Sequence, residues 1–364
     1  MALQPSGTMS IGGPTSGRSI NLELGRSATA TSSLGESDLR TLAQVPSGAI
    51  SISNFHGKSN ISASGGFTSE PGNGYKYHVF TTSGAFAVSA GNIGVEYLVV
   101  ASGGSGSARA GGGAGAGGGL HNIPGVPGNG SAMTCPPGTY PVTVATSGGS
   151  PVSGPTAVQG NKGSDSVFNS ITAEGGGAAT NHTTTNCPVN IGGCGGSSHD
   201  FTCPRVGNQG GNGGGSGDSS PTGNVSGGNG GAGKAYGTGF AGPLIGAIMT
   251  ANSIPSPEVS AFQTAVGPTG LYAGGGGGGT WQSPTVGPGG GGGGGMGGDG
   301  TNTLGPGTNG AGGSGGGGTG GIGPGPIRAS TPGVKYTGGG GGGSGGESAS
   351  GAGGAGIVIL RYQV

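Results

Sequence analysis

Four uninterrupted runs of glycine, at residues 274–279, 289–295, 315–318 and 338–343, constrain this chain more than any other feature. Glycine fills 43 of the last 94 positions and 8 of the first 60, so two kinds of polymer are joined in one sequence. A run without side chains has two physical fates. It stays a flexible coil, or it brings one backbone against another at van der Waals distance. Order is costly, because fixing a backbone takes roughly 1–2 kcal/mol per residue and glycine loses the most freedom while burying no side chain. An ordered run must recover that cost from main-chain hydrogen bonds between neighbouring segments. Extended left-handed helices of three residues per turn point every N–H and C=O outward and permit this. Collagen is excluded, since no long stretch keeps a G-X-Y period.

The glycine-rich part is bracketed by VEYLVV (95–100) and IVILRY (357–362), both β-branched and of strand length. A tether has no reason to end in a buried strand. If the two pair, the chain between them leaves and returns to one small sheet. The expected fold class is therefore mainly β and irregular: a small N-terminal adaptor over residues 1–65, a β-strand segment over 66–101, and a glycine-rich sandwich of polyglycine-II-type helices over 102–364, closed by a C-terminal strand.

Composition excludes several functions. Only 30% of the chain is apolar and 5% aromatic, so no large oily core is available. Twelve basic residues balance twelve acidic ones, which gives no electrostatic grip on phosphate backbones and argues against nucleic acid as a partner. The first twenty residues lack the basic and apolar regions of a signal peptide, and FAGPLIGAIMTA (240–251) is shorter than the roughly 20 residues a membrane span needs. A soluble protein made in a cytosol is expected.

Within residues 1–65, INLELG (20–25) alternates as a short strand. ESDLRTLAQVPSG (36–48) reads as a helix capped by Ser37, with Asp38 at its positive end, Leu39, Leu42 and Ala43 on one face, and Pro46 and Gly48 as its stop. AISISNFHGKS (49–59) reads as a strand and a turn. Its HGKS is no phosphate loop, because Ile52 stands where the first glycine of that motif belongs. Farther on, YKYHVF (75–80), FAVSA (86–90) and VEYLVV read as three strands, with a hairpin-like turn at Ser83 and Gly84. PGTYPVTV (137–144) and DSVFNSITA (165–173) read as strands between turn residues. His78 is expected to be an ordinary packing or surface histidine. Ser256, Pro257 and Glu258 start a helix whose face is Val259, Phe262 and Val266.

The run SLGESDLRTLAQVPSGAISISNFHGKS (33–59) resembles an N-terminal module found on many tail proteins of tailed bacteriophages. VEYLVVASGGSGS, PGTYPVTV, DSVFNSITAEGGG, LYAGGGGGG and GAGIVILRY, in that order, resemble the glycine-rich domain that recurs in phage tail fibres, in kind like polyglycine-helix adhesins. The resemblance implies a virion protein of the phage tail, made in the host cytoplasm. It implies that residues 1–65 dock on other tail or baseplate proteins, with Leu39, Leu42 and Phe55 as attachment residues. It also implies that loops on the glycine scaffold touch a host polysaccharide or outer-membrane protein. A homo-oligomer, guessed to be a trimer, fits that class. The rival is a purely structural tail component without receptor contact.

Candidate contacts are the aromatics and their neighbours, because aromatic rings anchor interfaces. Trp281, the single tryptophan, follows a six-glycine run, with Gln282 and Tyr272 near it; Phe201, His199, Tyr236 and Tyr336 belong to other candidate loops. For each ring, filling space at the end of a glycine stack is an equal alternative. Cys135, Cys187, Cys194 and Cys203 are disulfide candidates, with Cys187 and Cys194 the first pair to test and free thiols the alternative. A zinc site with His199 lacks the short CxxC hooks such a site wants. GxGxxG matches are expected by chance at this glycine content and none opens an amphipathic helix after a strand, no HExxH or phosphate-loop motif is present, and the acids of the glycine region stand apart in sequence. Neither an enzyme nor a cofactor is expected.

Overall fold

The computed structural model describes residues 3–58, 60–108, 111–127, 130–153, 158–180, 230–279, 330–344 and 349–364. Residues 3–58 carry a small hydrophobic cluster of their own, Leu3, Met9, Ile20, Leu39, Leu42, Ala43 and Phe55, all buried. Two short helices frame it, α1 (Ile20–Glu23) and α2 (Ser37–Ala43), followed by a 3-10 turn (Ile52–Phe55). Where strands are expected within 20–25 and 49–59, the chain instead forms a helical turn at Ile20–Glu23 and a 3-10 turn at Ile52–Phe55. At α1 the Ser19 hydroxyl accepts from Leu22 N–H, and Asn21 is pulled inward by bonds to Ala30 O and Ser32, a polar anchor that outweighs the apparent alternation. At the 3-10 turn, Ser51 and Asn54 form a reciprocal capping box. In α2 the N-cap is Glu36 and not Ser37, whereas Leu39, Leu42 and Ala43 are buried on one face as expected.

The body is mainly β and antiparallel. Its strands are β1 (Ser62–Ser64), β2 (Phe67–Ser69), β3 (Tyr75–Phe80), β4 (Gly84–Ala90), β5 (Ile93–Val100), β6 (Gly119–His121), β7 (Met133–Cys135), β8 (Gly138–Thr143), β9 (Ser166–Phe168), β10 (Ile171–Ala173), β11 (Lys234–Ala235), β12 (Leu271–Tyr272) and β13 (Ile357–Gln363). One sheet runs β1-β4-β8-β9-β10 and a second runs β2-β3-β13-β5-β6, with β7 on the first half of β5. The turn at Ser83 and Gly84 does not make a hairpin. It sends β3 into one sheet and β4 into the other. β5 and β13 pair with Val100 opposite Ile357, so the two apolar runs that bracket the glycine-rich part are neighbours in one sheet.

Strand alternation sorts side chains onto two faces of the second sheet. Phe80, Tyr97, Val99, Val358, Leu360 and Tyr362 face the first sheet and meet Phe86, Val88, Val142 and Phe168. Tyr77, Val79, Leu98, Val100, Ile357 and Ile359 face the other way, against helices α3 (Gly242–Ala251) and α4 (Ser256–Val266). α4 spans the expected residues, with Val259, Phe262 and Val266 buried. The helices approach each other closely because Gly242 and Gly246 of α3 leave no Cβ against Gln263 of α4. Among the described residues no helix is long and apolar enough to cross a membrane.

Beyond the sheets, the glycine segments run outside any helix or strand and are joined by main-chain hydrogen bonds. Segment 101–108 shows the pattern. Ala101, Gly104 and Ser107 donate to Gly118, Gly115 and Gly112; Ser102, Ser105 and Ala108 to Ser164, Asn161 and Val158; Gly103 and Gly106 to Gly354 and Gly351. Successive N–H groups thus turn to three different neighbours and return to the first after three residues. The same spacing recurs in segment 111–118, where Gly112, Gly115 and Gly118 donate to Thr180, Gly177 and Glu174, while Gly111, Ala114 and Gly117 donate to Ser344, Gly341 and Gly338.

Candidate recognition end

The glycine segments share two ends. At the near end they continue the sheets: Ala101 follows β5, Gly118 precedes β6, Glu174 follows β10, Ala273 follows β12 and Gly356 precedes β13. At the far end, Gly111 N–H donates to Ser344 O, Gly279 N–H to Gly111 O, Gly112 N–H to Thr180 O and Ala108 N–H to Val158 O, at distances of 2.9 to 3.3 Å. Val152 and Ser350 exchange two bonds there, and the Ser330 hydroxyl donates to Ala349 O. The described residues beside 109–110, 154–157, 280–329 and 345–348 therefore gather at this one end, as does Thr180 before 181–229. Gly230 re-enters partway down, since its neighbour Gly231 accepts from Gly275.

Close approach, not an unusual backbone angle, is what requires glycine in these segments. At Gly103, Gly104, Gly106, Gly113, Gly276 and Gly340 the φ lies outside the left-handed region, yet a methyl group would overlap a carbonyl oxygen of the adjoining segment. Serine enters at a few positions where its hydroxyl finds a main-chain partner. Ser102, Ser105 and Ser107 are fully buried, and their hydroxyls bond Ser164, Asn161 and Thr180. Sequence reasoning missed these three. Their signal was the serine interruptions at 102, 105 and 107 amid glycine and alanine.

The expected contact aromatics fall into two groups. Trp281, Gln282, His199 and Phe201 lie outside the described residues. Tyr236 and Tyr272 are 1% and 0% exposed, so they are corrected from surface contacts to core residues. Their rings meet edge-on at 5.9 Å, Phe262 of α4 meets Tyr272 at 6.0 Å, and the Tyr272 hydroxyl donates to Phe240 O. The two helices cover what flanking glycines made look like loop tips. Tyr336 is half-buried and its hydroxyl donates to Glu258 Oε2 at 2.9 Å; burial, then this carboxylate, raises its pKa to about 12. It ties the last glycine run to the start of α4, helped by Lys335, whose ammonium bonds the same Glu258 and keeps its carboxyl below the usual range.

The expected attachment residues are also corrected. Leu39, Leu42 and Phe55 are 0%, 5% and 0% exposed and hold the N-terminal cluster together, so they are not available to a partner. The outward face of α2 instead presents Ser37, Thr41 and Gln44, which with Arg40 and Pro46 line a shallow groove of about 360 Å³. Cys135 is buried on β7 and carries a free thiol, which burial pushes up to about 11; Cys187, Cys194 and Cys203 lie outside the described residues. Among the described residues no three His, Cys, Asp or Glu side chains gather as a metal site.

Among the described residues a polar cluster with several partners is internal. Arg361 of β13 binds Glu96 of β5 at 2.6 and 2.7 Å, donates to the Tyr77 hydroxyl at 3.2 Å, and stacks over Tyr75 and Phe240 at 4.3 and 4.7 Å. It cements the helices to the sheet. His78 is fully buried between the sheets with Phe86 and Tyr362 against it, as a packing histidine, and its Nδ1 meets Gly65 O at 2.7 Å. No protein-family model matches the chain, and no curated protein shows significant similarity to it.

Proposed function

We propose that this chain is a non-enzymatic tail-fibre or tail-tip protein of a tailed bacteriophage. Residues 1–65 dock it on the virion, and a sandwich of polyglycine-II-type helices presents loops to the host surface. The observation that carries the reading is the three-residue alternation of N–H donors in segments 101–108 and 111–118. A left-handed extended helix turns once per three residues and sends its amides outward in three directions, which is the bonding found here. Most positions in such a stack leave no room for a side chain, so bulkier residues are pushed to its ends. The far end, where the described chain approaches most of the long connections, is the place a binding surface belongs, since recognition residues sit on loops held by a rigid scaffold. The sequence resemblance in residues 33–59 and through the glycine-rich part supports the phage assignment.

Competition tests the receptor reading. Purified full-length protein is expected to slow adsorption of the particle that carries it to susceptible cells, in proportion to concentration. No slowing at saturating protein would leave the second reading, an internal structural tail component. Division of labour has its own test: removing residues 3–58 should abolish incorporation into particles and leave competition intact. Substituting Thr41 and Gln44 on the outward face of α2 with larger charged residues should weaken incorporation without unfolding the module.

A further inference from the structure

We infer that His121 and Lys234 form an acid-sensitive latch, which holds the connection after β6 against β11 at neutral pH and releases it when His121 takes up a proton. His121 closes β6 and is buried. Its Nδ1 lies 3.3 Å from the N–H of Ile123, and its Nε2 lies 3.2 Å from the Lys234 ammonium and 3.3 Å from the Pro127 carbonyl. Lys234 starts β11 and donates to that same carbonyl. Between these anchors, Ile123 and Val126 pack on the hydrophobic cluster that contains Tyr236, whose ring meets the His121 ring edge-on at 5.1 Å. The latch thus joins a loop, a strand and the cover of one core.

Donors stand at both nitrogens of the ring. A neutral imidazole has one nitrogen free to accept, so it takes either the Ile123 N–H through Nδ1 or Lys234 through Nε2. The imidazolium carries N–H at both and accepts neither. It also sets a second positive charge 3.2 Å from an ammonium, and Lys234 already holds the Pro127 carbonyl that could take its proton. The nearby acids are spent elsewhere. Glu96, on the same face of β5 as Leu98 opposite His121, is bound by Arg361; α3 carries no charged residue; and Glu258 of α4 is bound by Lys335 and Tyr336. Burial first, then Lys234, holds the His121 pKa below the ordinary 6.5, against the Pro127 carbonyl. Asn122 sets where release begins. Its side chain accepts from Tyr97 N–H at 2.7 Å and donates to Val95 O at 2.8 Å, so it stays on β5 while the chain from Ile123 onward comes away.

Amide hydrogen exchange on the full chain at pH 7 and pH 5, corrected for the intrinsic rate at each, tests this. A released His121 titrates near its ordinary value and the latched one below it, so opening should gain on the order of tenfold over that range. Exchange at Ile123 and Val126 should rise by about that factor relative to Tyr97, whose N–H is held by Asn122. His121→Gln keeps an acceptor and removes the charge, so it should abolish the pH-dependent rise. A wild-type ratio that does not change with pH, or one that changes as much in His121→Gln, would overturn the proposal. So would an equal rise at Tyr97, the mark of opening of the whole chain. If His121→Gln does not fold, Lys234→Met replaces it: without the ammonium the rise should shrink to about threefold, and a rise as large as in wild type would overturn the latch.

Discussion

At Gly106 one added methyl group would overlap the carbonyl oxygen of Gly342, and neither side has a flexible side chain to yield. Gly106→Ala should therefore sit at the upper end of overpacking costs, about 3 kcal/mol in denaturant unfolding. Gly94 on β5 has ordinary φ and nothing within 4 Å of a built Cβ, so Gly94→Ala should be neutral within about 0.5 kcal/mol or slightly stabilising. Equal effects at the two sites would mean that close backbone packing is not what selects glycine. His78 gives a second residue-scale prediction. Burial holds its pKa below the ordinary 6.5, with only Lys76 adding to that and the Gly65 carbonyl opposing it, and its Nε2 meets no partner among the described residues. As pH falls the unfolded chain takes the proton first, so stability is lost from about pH 6.5 downward toward the folded value. His121 is shifted the same way by burial and Lys234. The unfolding midpoint should fall between pH 7 and pH 5, and His78→Phe should flatten that fall while leaving the His121 part.

Whole elements were legible where a side-chain period existed. YKYHVF, VEYLVV and IVILRY alternate because one face of each meets the other sheet and one face meets the helices, and α4 declared itself through its proline start and its apolar stripe. Short elements fixed by polar anchors were not legible: INLELG alternates like a strand, yet the Ser19 cap and the Asn21 bonds make it a helical turn. Tyr236 and Tyr272 misled for a related reason, since the covering helices are distant from Tyr236 in pattern though near in space. Arg361 carried no pattern at all, being one charge in an apolar strand. Its partner Glu96 lies directly opposite on β5, and both side chains are mostly buried, at 12% and 19% exposed. Arg361→Met should leave Glu96 buried without its ion pair and cost about 3 to 5 kcal/mol. The tyrosine environment of Tyr75 and Tyr77, read by near-ultraviolet circular dichroism, should change with it; a variant as stable as wild type would reduce the cluster to ornament on an apolar interface.

For the molecule as a whole, the glycine segments carry on the register of the strand ladder, Val100 opposite Gly119 being followed by Ala101 to Gly118 and Gly104 to Gly115; the proposed three-residue-per-turn helices would rise roughly 3.1 Å per residue against roughly 3.3 Å for a strand, so register would pass between them with little drift. That mechanism sets a phase rule with a period of three, which no composition argument contains. Inserting one glycine between Gly104 and Ser105 rotates every later amide of the segment to the wrong neighbour, breaking the bonds now made by Ser105, Gly106, Ser107 and Ala108. At about 1 kcal/mol for each lost bond, the variant should lose about 4 kcal/mol. Inserting three glycines at the same place restores the direction of every donor and moves the surplus toward the far end. The three-residue insertion should therefore unfold nearly as cooperatively as wild type, with a midpoint above that of the one-residue and two-residue insertions. Destabilisation that grows steadily from one to three residues would show that the segments pack as ordinary irregular chain, and would remove the scaffold on which the adhesin reading stands.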